Sequence, residues 1–215
     1  RMKILIGITI IAISLSVMIF LHEPLINMFL HEGSSSGNIQ ETFNYAKNYL
    51  YIMVIGIAPF VISNCYNTTL KESGQTVVPM KAGVLAVVFD IVLNYIFIFG
   101  KLGFPAMGVV GAAIATVISR FVECGYLVIY THIHSNDYPF IKHCYRTLKV
   151  PGSLVKKIIV TGAPLMLNEF LWAGGLTLQT QALSTKGLAT VGGLNICNTI
   201  GNISNCIFVT MGTTI

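Results

Sequence analysis

Six long apolar runs separated by shorter polar stretches dominate this chain of 215 residues, at 4–21, 49–70, 82–100, 108–131, 158–183 and 189–215. A helix needs roughly 20 apolar residues to cross the hydrocarbon core of a bilayer, and every run is close to that length or longer. None shows the ten-residue alternation of a membrane barrel, and backbone groups in lipid must find partners within the protein. The pattern predicts an all-α fold, a polytopic bundle of six transmembrane helices. The first run is longer than the apolar part of a secretory leader and is not followed by a cleavage site, so it counts as a span.

Composition points the same way. Residues are 54% hydrophobic and only 10% charged, against about 25% charged in a soluble domain, so a water-facing surface could not be clothed. The net charge of +5 is therefore read by position. Nine basic residues (Arg1, Lys3, Lys71, Lys81, Lys142, Arg146, Lys149, Lys156 and Lys157) lie before the first span or after the second and fourth. The remaining connections hold three, Lys47, Lys101 and Lys186. The richer side is expected to be cytoplasmic, which places the connections after spans two, four and six there. No basic stripe interleaves with aromatics, so nucleic acid is not an expected partner. Cys65, Cys124, Cys144, Cys197 and Cys206 are spaced like neither a zinc site nor a disulfide framework, and they read as small packing residues.

The connection at 132–157 is long, polar and basic, and divides the spans into four and two. It is either a link between two bundles or a plain surface loop. The first span starts almost at once, and the last run stops at "FVTMGTTI" without a cap or polar tail. A piece of a larger protein is expected.

Polar groups inside the spans are the candidate chemistry. A charge at the bilayer centre costs roughly 2.5–3.5 kcal/mol on insertion scales, so such residues usually face a cavity or a partner. In "VVFDIVLNYIFIFG", Asp90 and Asn94 stand four apart on one helix face, with Asp90 near mid-span. A buried carboxylate beside an amide is suited to taking and releasing a proton or a small cation. In "GAPLMLNEFLWAGG", Glu169 follows Asn168, Trp172 is three residues on, and Pro164 lies one turn earlier. Carboxylate, amide, bend and aromatic together suit a cation or drug pocket. Asn195, Asn198, Asn202 and Asn205 recur at helical spacing in the last run, four amides along one face, which predicts a cavity wall. Arg120 and Glu123 are three apart and read as an ion pair. Gly111, Ala115 and Ser119 share a face and read as close helix packing. There is no His-Glu-x-x-His, no serine–histidine arrangement and no paired aspartates on facing spans; the five histidines lie in connections or at span ends. Neither an enzyme nor a resident cofactor is expected.

With these elements in place, the chain resembles the multidrug and toxic compound extrusion (MATE) transporters. "HEPLINMF" resembles the signature ending the family's third helix, and "LKESGQTVVPM" the stretch between helices four and five. "DIVLNYIFIFGKLGFPAMGVVGAAIATVISR" is similar to helix five, an external loop and helix six, and "TGAPLMLNEFLWAGG" to helix seven. The resemblance implies a twelve-helix transporter of two lobes. Residues 1–131 would supply N-lobe helices three to six, 132–157 a cytoplasmic link between lobes, and 158–215 C-lobe helices seven and eight. It implies a multi-pass protein of the bacterial inner membrane that exports cationic or amphipathic compounds in exchange for protons or sodium ions, without ATP. Asp90 and Asn94 would hold the positions of the family's helix-five pair, and Glu169 that of a cation-binding glutamate, with a sodium ion the candidate there. Asn168, Trp172 and the four asparagines would line the cavity, and the remaining helices of the transporter would be the partners. A lipid-linked precursor flippase of the same superfamily is the alternative.

Overall fold

The structure, a computed structural model, describes residues 2–27, 39–134, 152–186 and 188–214. All its regular elements are helices: α1 (Met2–Phe20), α2 (His22–Asn27), α3 (Ile39–Glu72), α4 (Val77–Phe99), α5 (Val109–Ile133), α6 (Gly152–Ser184) and α7 (Leu188–Thr214). They fall into two compact units, one of Arg1–His22 with Tyr45–Ile159, the other of Glu23–Asn44 with Val160–Ile215.

The helices coincide with the apolar runs, with three differences. The short α2 lies where a connection was expected. α3 begins at Ile39, ten residues ahead of the predicted span, because "QETFNYAKN" is helix-compatible although polar. At 34 residues it is roughly 51 Å long at 1.5 Å per residue, so its ends outreach a 30 Å hydrocarbon layer. α6 begins at Gly152, inside the stretch read as a link, while residues 135–151 of that stretch lie outside the described part. Four helices, α1, α3, α4 and α5, are long and apolar enough to cross a membrane. α6 and α7 have the length for a span, at 33 and 27 residues, and carry more polar side chains: Asn168 and Glu169 on α6, and the four asparagines on α7.

In the first unit the local chemistry accounts for the turns. α3 ends in a Schellman arrangement. Gly74 takes the left-handed φ of +82°, its N–H donates to Lys71 O (3.0 Å), and Gln75 N–H donates back to Leu70 O (3.0 Å). Pro79 falls in the first turn of α4, where a missing N–H costs no helix bond. Gly100, φ +63°, closes α4. The chain then folds back, with Met107 N–H donating to Phe97 O at 2.9 Å and the Phe97 and Phe104 rings meeting edge to face at 5.3 Å. Gly100 is required twice over: a Cβ there would lie 2.6 Å from Ala106 N, in a backbone region that side chains avoid.

α4 and α5 therefore form an antiparallel hairpin. Its seam is built from residues at spacings of four: Ala82, Ala86, Asp90 and Asn94 on α4, and Gly111, Ala115, Ser119, Glu123 and Leu127 on α5. Small side chains let the backbones approach, and a Cβ on Gly111 would come within 2.8 Å of Phe97 O. At the far end of the hairpin Leu127 joins Leu70, Val78 and Ala82 in one buried cluster, flanked by Tyr66, Tyr126 and Tyr130. The other side of α5 meets α3, where a Cβ on Gly56 would touch Val117 Cγ2 at 3.2 Å. α1 reaches α3 through Gly7, opposite Val61 and Cys65, and through a Lys3–Glu72 ion pair at 2.5 Å. Just after α1, His22 Nδ1–H donates to Ile19 O (3.0 Å), which leaves Nε2 to accept from the Tyr51 hydroxyl (3.1 Å).

Outside these seams the first unit is apolar and exposed; Phe20, Ile91 and Phe99 are examples. In water such faces would drive association. In a bilayer they meet lipid or further helices.

Candidate functional site

The hairpin seam carries the polar cluster. Asp90 sits on α4 with apolar neighbours Phe89 and Ile91 turned outward. The carboxylate itself, half-buried, turns toward α5. Asn94, one turn on, donates from Nδ2 to Asp90 Oδ2 at 3.1 Å. From the opposite helix Ser119 brings its hydroxyl to 3.4 Å from Asp90 Oδ1, while lying 2.9 Å from the Ala115 carbonyl. Asn94 Oδ1 is buried, with no hydrogen-bond partner among the described residues. The cluster thus offers carboxylate, amide and hydroxyl oxygens, a set of hard donors that can hold a proton or a small cation. The spacing of Asp90 and Asn94 made their pairing legible in the sequence.

Ser119 was not. It reads as one of a ladder of small packing residues, and it does pack, at 4% exposed. Its second role follows only from the antiparallel register, which sets residue 119 opposite residue 90. Writing the two rows, 82-86-90-94 and 115-119-123-127, against each other in opposite directions would have exposed it.

One turn further along α5, Glu123 is buried at 9% exposure and accepts from Arg120 at 3.3 Å. The Arg120 guanidinium also lies over the Phe60 ring of α3, 4.7 Å from its centroid. The expected ion pair is present, held on one side by an aromatic face.

In the second unit, Asn168, Glu169 and Trp172 on α6 are exposed. So are Asn195, Asn198, Asn202 and Asn205 on α7. α7 is continuous through all four, so at 100° per residue they span about 80° of its circumference. Cys65 and Cys124 are half-buried, as packing residues would be, and Cys197 and Cys206 are exposed on α7. Cys144 lies outside the described residues. Among the described residues no group of three His, Cys, Asp or Glu side chains could hold a metal ion.

The chain's first 96 residues match the MatE family model. It is 32% identical over 184 residues to a probable multidrug resistance protein NorM of Thermotoga maritima, covering 86% of this chain and 38% of that protein. It is 31% identical to a probable multidrug resistance protein NorM of Halalkalibacterium halodurans, over 70% of this chain and 33% of the relative. With the probable multidrug resistance protein YoeA of Bacillus subtilis it shares 30% over 65% of this chain and 29% of the relative. The chain thus spans between 29% and 38% of the length of these relatives. No solved structure matches it.

Proposed function

This chain belongs to the MATE family, whose members are transporters and not enzymes, and on that premise we propose that it forms the middle helices of an ion-coupled multidrug exporter. Residues 1–131 then belong to the N-lobe, 132–157 to the cytoplasmic link and 158–215 to the C-lobe, with the connections after spans two, four and six on the cytoplasmic side of the inner membrane. The cargo is a cationic or amphipathic compound, exchanged for protons or sodium ions.

One observation carries the reading: Asp90, near the middle of an apolar helix, is met by Asn94 at 3.1 Å and Ser119 at 3.4 Å, with no cationic side chain bonded to it among the described residues. A carboxylate locked to an arginine or lysine would be structural, as Glu123 is. A carboxylate held only by neutral donors keeps the freedom to exchange a proton or a cation. Occupancy by ion or by cargo then selects between inward- and outward-open forms, by differential affinity for the two. The exposed Glu169, Asn168, Trp172 and the α7 asparagines are assigned to the wall of the central cavity. Polar groups on helices of this length need water or neighbouring helices around them in a membrane.

The test is gradient-driven ethidium efflux by the full-length protein in proteoliposomes, with proton and sodium gradients imposed separately. Asp90→Asn should abolish efflux driven by the coupling ion while leaving folding intact. Undiminished efflux in a well-folded variant removes Asp90 from the mechanism.

A further inference from the structure

We propose that Ser119 is the positioning residue of the Asp90 site, a hydroxyl that turns between the Asp90 carboxylate and the α5 backbone as Asp90 loses and gains its proton. The proposal rests on the reading of Asp90 as the ion-coupling carboxylate, and it names the atom that is loaded and the helix that responds.

The geometry comes from two distances. Ser119 Oγ lies 3.4 Å from Asp90 Oδ1 and 2.9 Å from Ala115 O. A hydroxyl has one hydrogen to donate and two lone pairs to accept with, so it can serve only one of these acceptors at a time. Asp90 Oδ2 is already taken by the Asn94 amide hydrogen. Oδ1 is the oxygen that faces Ser119, and a proton taken up there finds the serine oxygen as its acceptor.

The two states follow. With Asp90 ionised, both carboxylate oxygens are acceptors and the charge-assisted bond is the stronger one, so the Ser119 hydrogen points to Oδ1. With Asp90 protonated, Oδ1–H becomes a donor to Ser119 Oγ, and the serine hydrogen swings to the Ala115 carbonyl, whose second lone pair is free for a side-chain bond of this kind. One proton enters, no covalent bond breaks, and each state leaves the serine satisfied in a place where it is only 4% exposed. The consequence is mechanical as well as chemical. The hydrogen bond between α4 and α5 at mid-span is charge-assisted in one state and neutral in the other, so the hairpin seam registers the proton.

The charged groups on the elements packed around the site do not compete. On α5 they are Arg120 and Glu123, which pair with each other at 3.3 Å. α3 has no charged side chain between Lys47 and Lys71, and α1 none between Lys3 and its end. The hydroxyl is thus the group on the opposing helix that meets Oδ1.

The test is an infrared pH titration of the full-length protein in lipid, following the carbonyl stretch of the protonated carboxyl that Asp90→Asn removes. Ser119→Ala should move the titration midpoint by about half a pH unit or more, because the hydroxyl that meets Asp90 Oδ1 is lost. Ser119→Thr, which keeps the hydroxyl, should return it to the parent value. An unmoved midpoint in Ser119→Ala overturns the proposal, and so does an equal shift in both variants, which would make the effect one of packing. If Asp90→Asn removes no band, Asp90 does not titrate, and the underlying reading of the site falls with it.

Discussion

At the scale of single residues, the two glycines that end α3 and α4 separate backbone conformation from crowding. Both adopt left-handed φ, +82° at Gly74 and +63° at Gly100. Around Gly74 a Cβ would meet nothing within 4 Å, whereas at Gly100 it would strike Ala106 N at 2.6 Å. Gly74→Ala should therefore cost about 1 kcal/mol, the penalty for an alanine in that region. Gly100→Ala should cost roughly 2–4 kcal/mol, since the clash with Ala106 N is added to the same conformational penalty. Thermal unfolding in detergent measures both, and equal losses would contradict the close approach of residues 100 and 106. Gly100 ends an apolar run and Gly74 follows one after three polar residues, so the presence of a turn was legible. The clash was not, because it depends on where residue 106 returns.

At the scale of elements, the packing of α5 explains why a helix with buried residues on two sides tolerates a charged pair. Gly111, Ala115 and Ser119 face α4, Val117 faces Gly56 of α3, and Arg120 leaves the interface over Phe60 while reaching back to Glu123. Replacing Gly111 by leucine should force the hairpin apart, with a loss of about 2–3 kcal/mol from overpacking and backbone displacement; Ala112→Leu, one position round the helix, should cost less. Arg120→Ala should destabilise by about 1–3 kcal/mol, discounted from the value for a fully buried pair because Arg120 is 41% exposed. Combining it with Glu123→Gln should recover part of that loss, since the uncompensated charge is then gone. A double variant less stable than the sum of the two singles would argue that Glu123 has a second partner. The i,i+3 spacing revealed the pair in the sequence, and only the structure supplied the Phe60 ring that holds the arginine.

At the scale of the whole molecule, the proposed topology makes opposite predictions for two lysines. Lys71 closes α3 and Lys101 follows α4, so they sit at opposite ends of one spanning helix. Cysteine placed at 71, in a background whose native cysteines are replaced, should react with a membrane-impermeant thiol reagent only from the cytoplasmic side. Cysteine at 101 should react only from the outside. Reaction of both from one face would overturn the orientation read from the basic residues. What the sequence determined alone was the all-helical membrane class, the approximate bounds of the apolar helices and the Asp90–Asn94 pair. Each depends on composition or on spacing along one helix, and 1.5 Å per residue makes spacing a local quantity. What the tertiary structure decided was the register of α4 against α5. It turned Ser119 from a spacer into a ligand of Asp90, because groups on different helices meet through the path of the chain between them, and that path is set by Gly100, the Phe97–Phe104 contact and the small residues that admit a close seam.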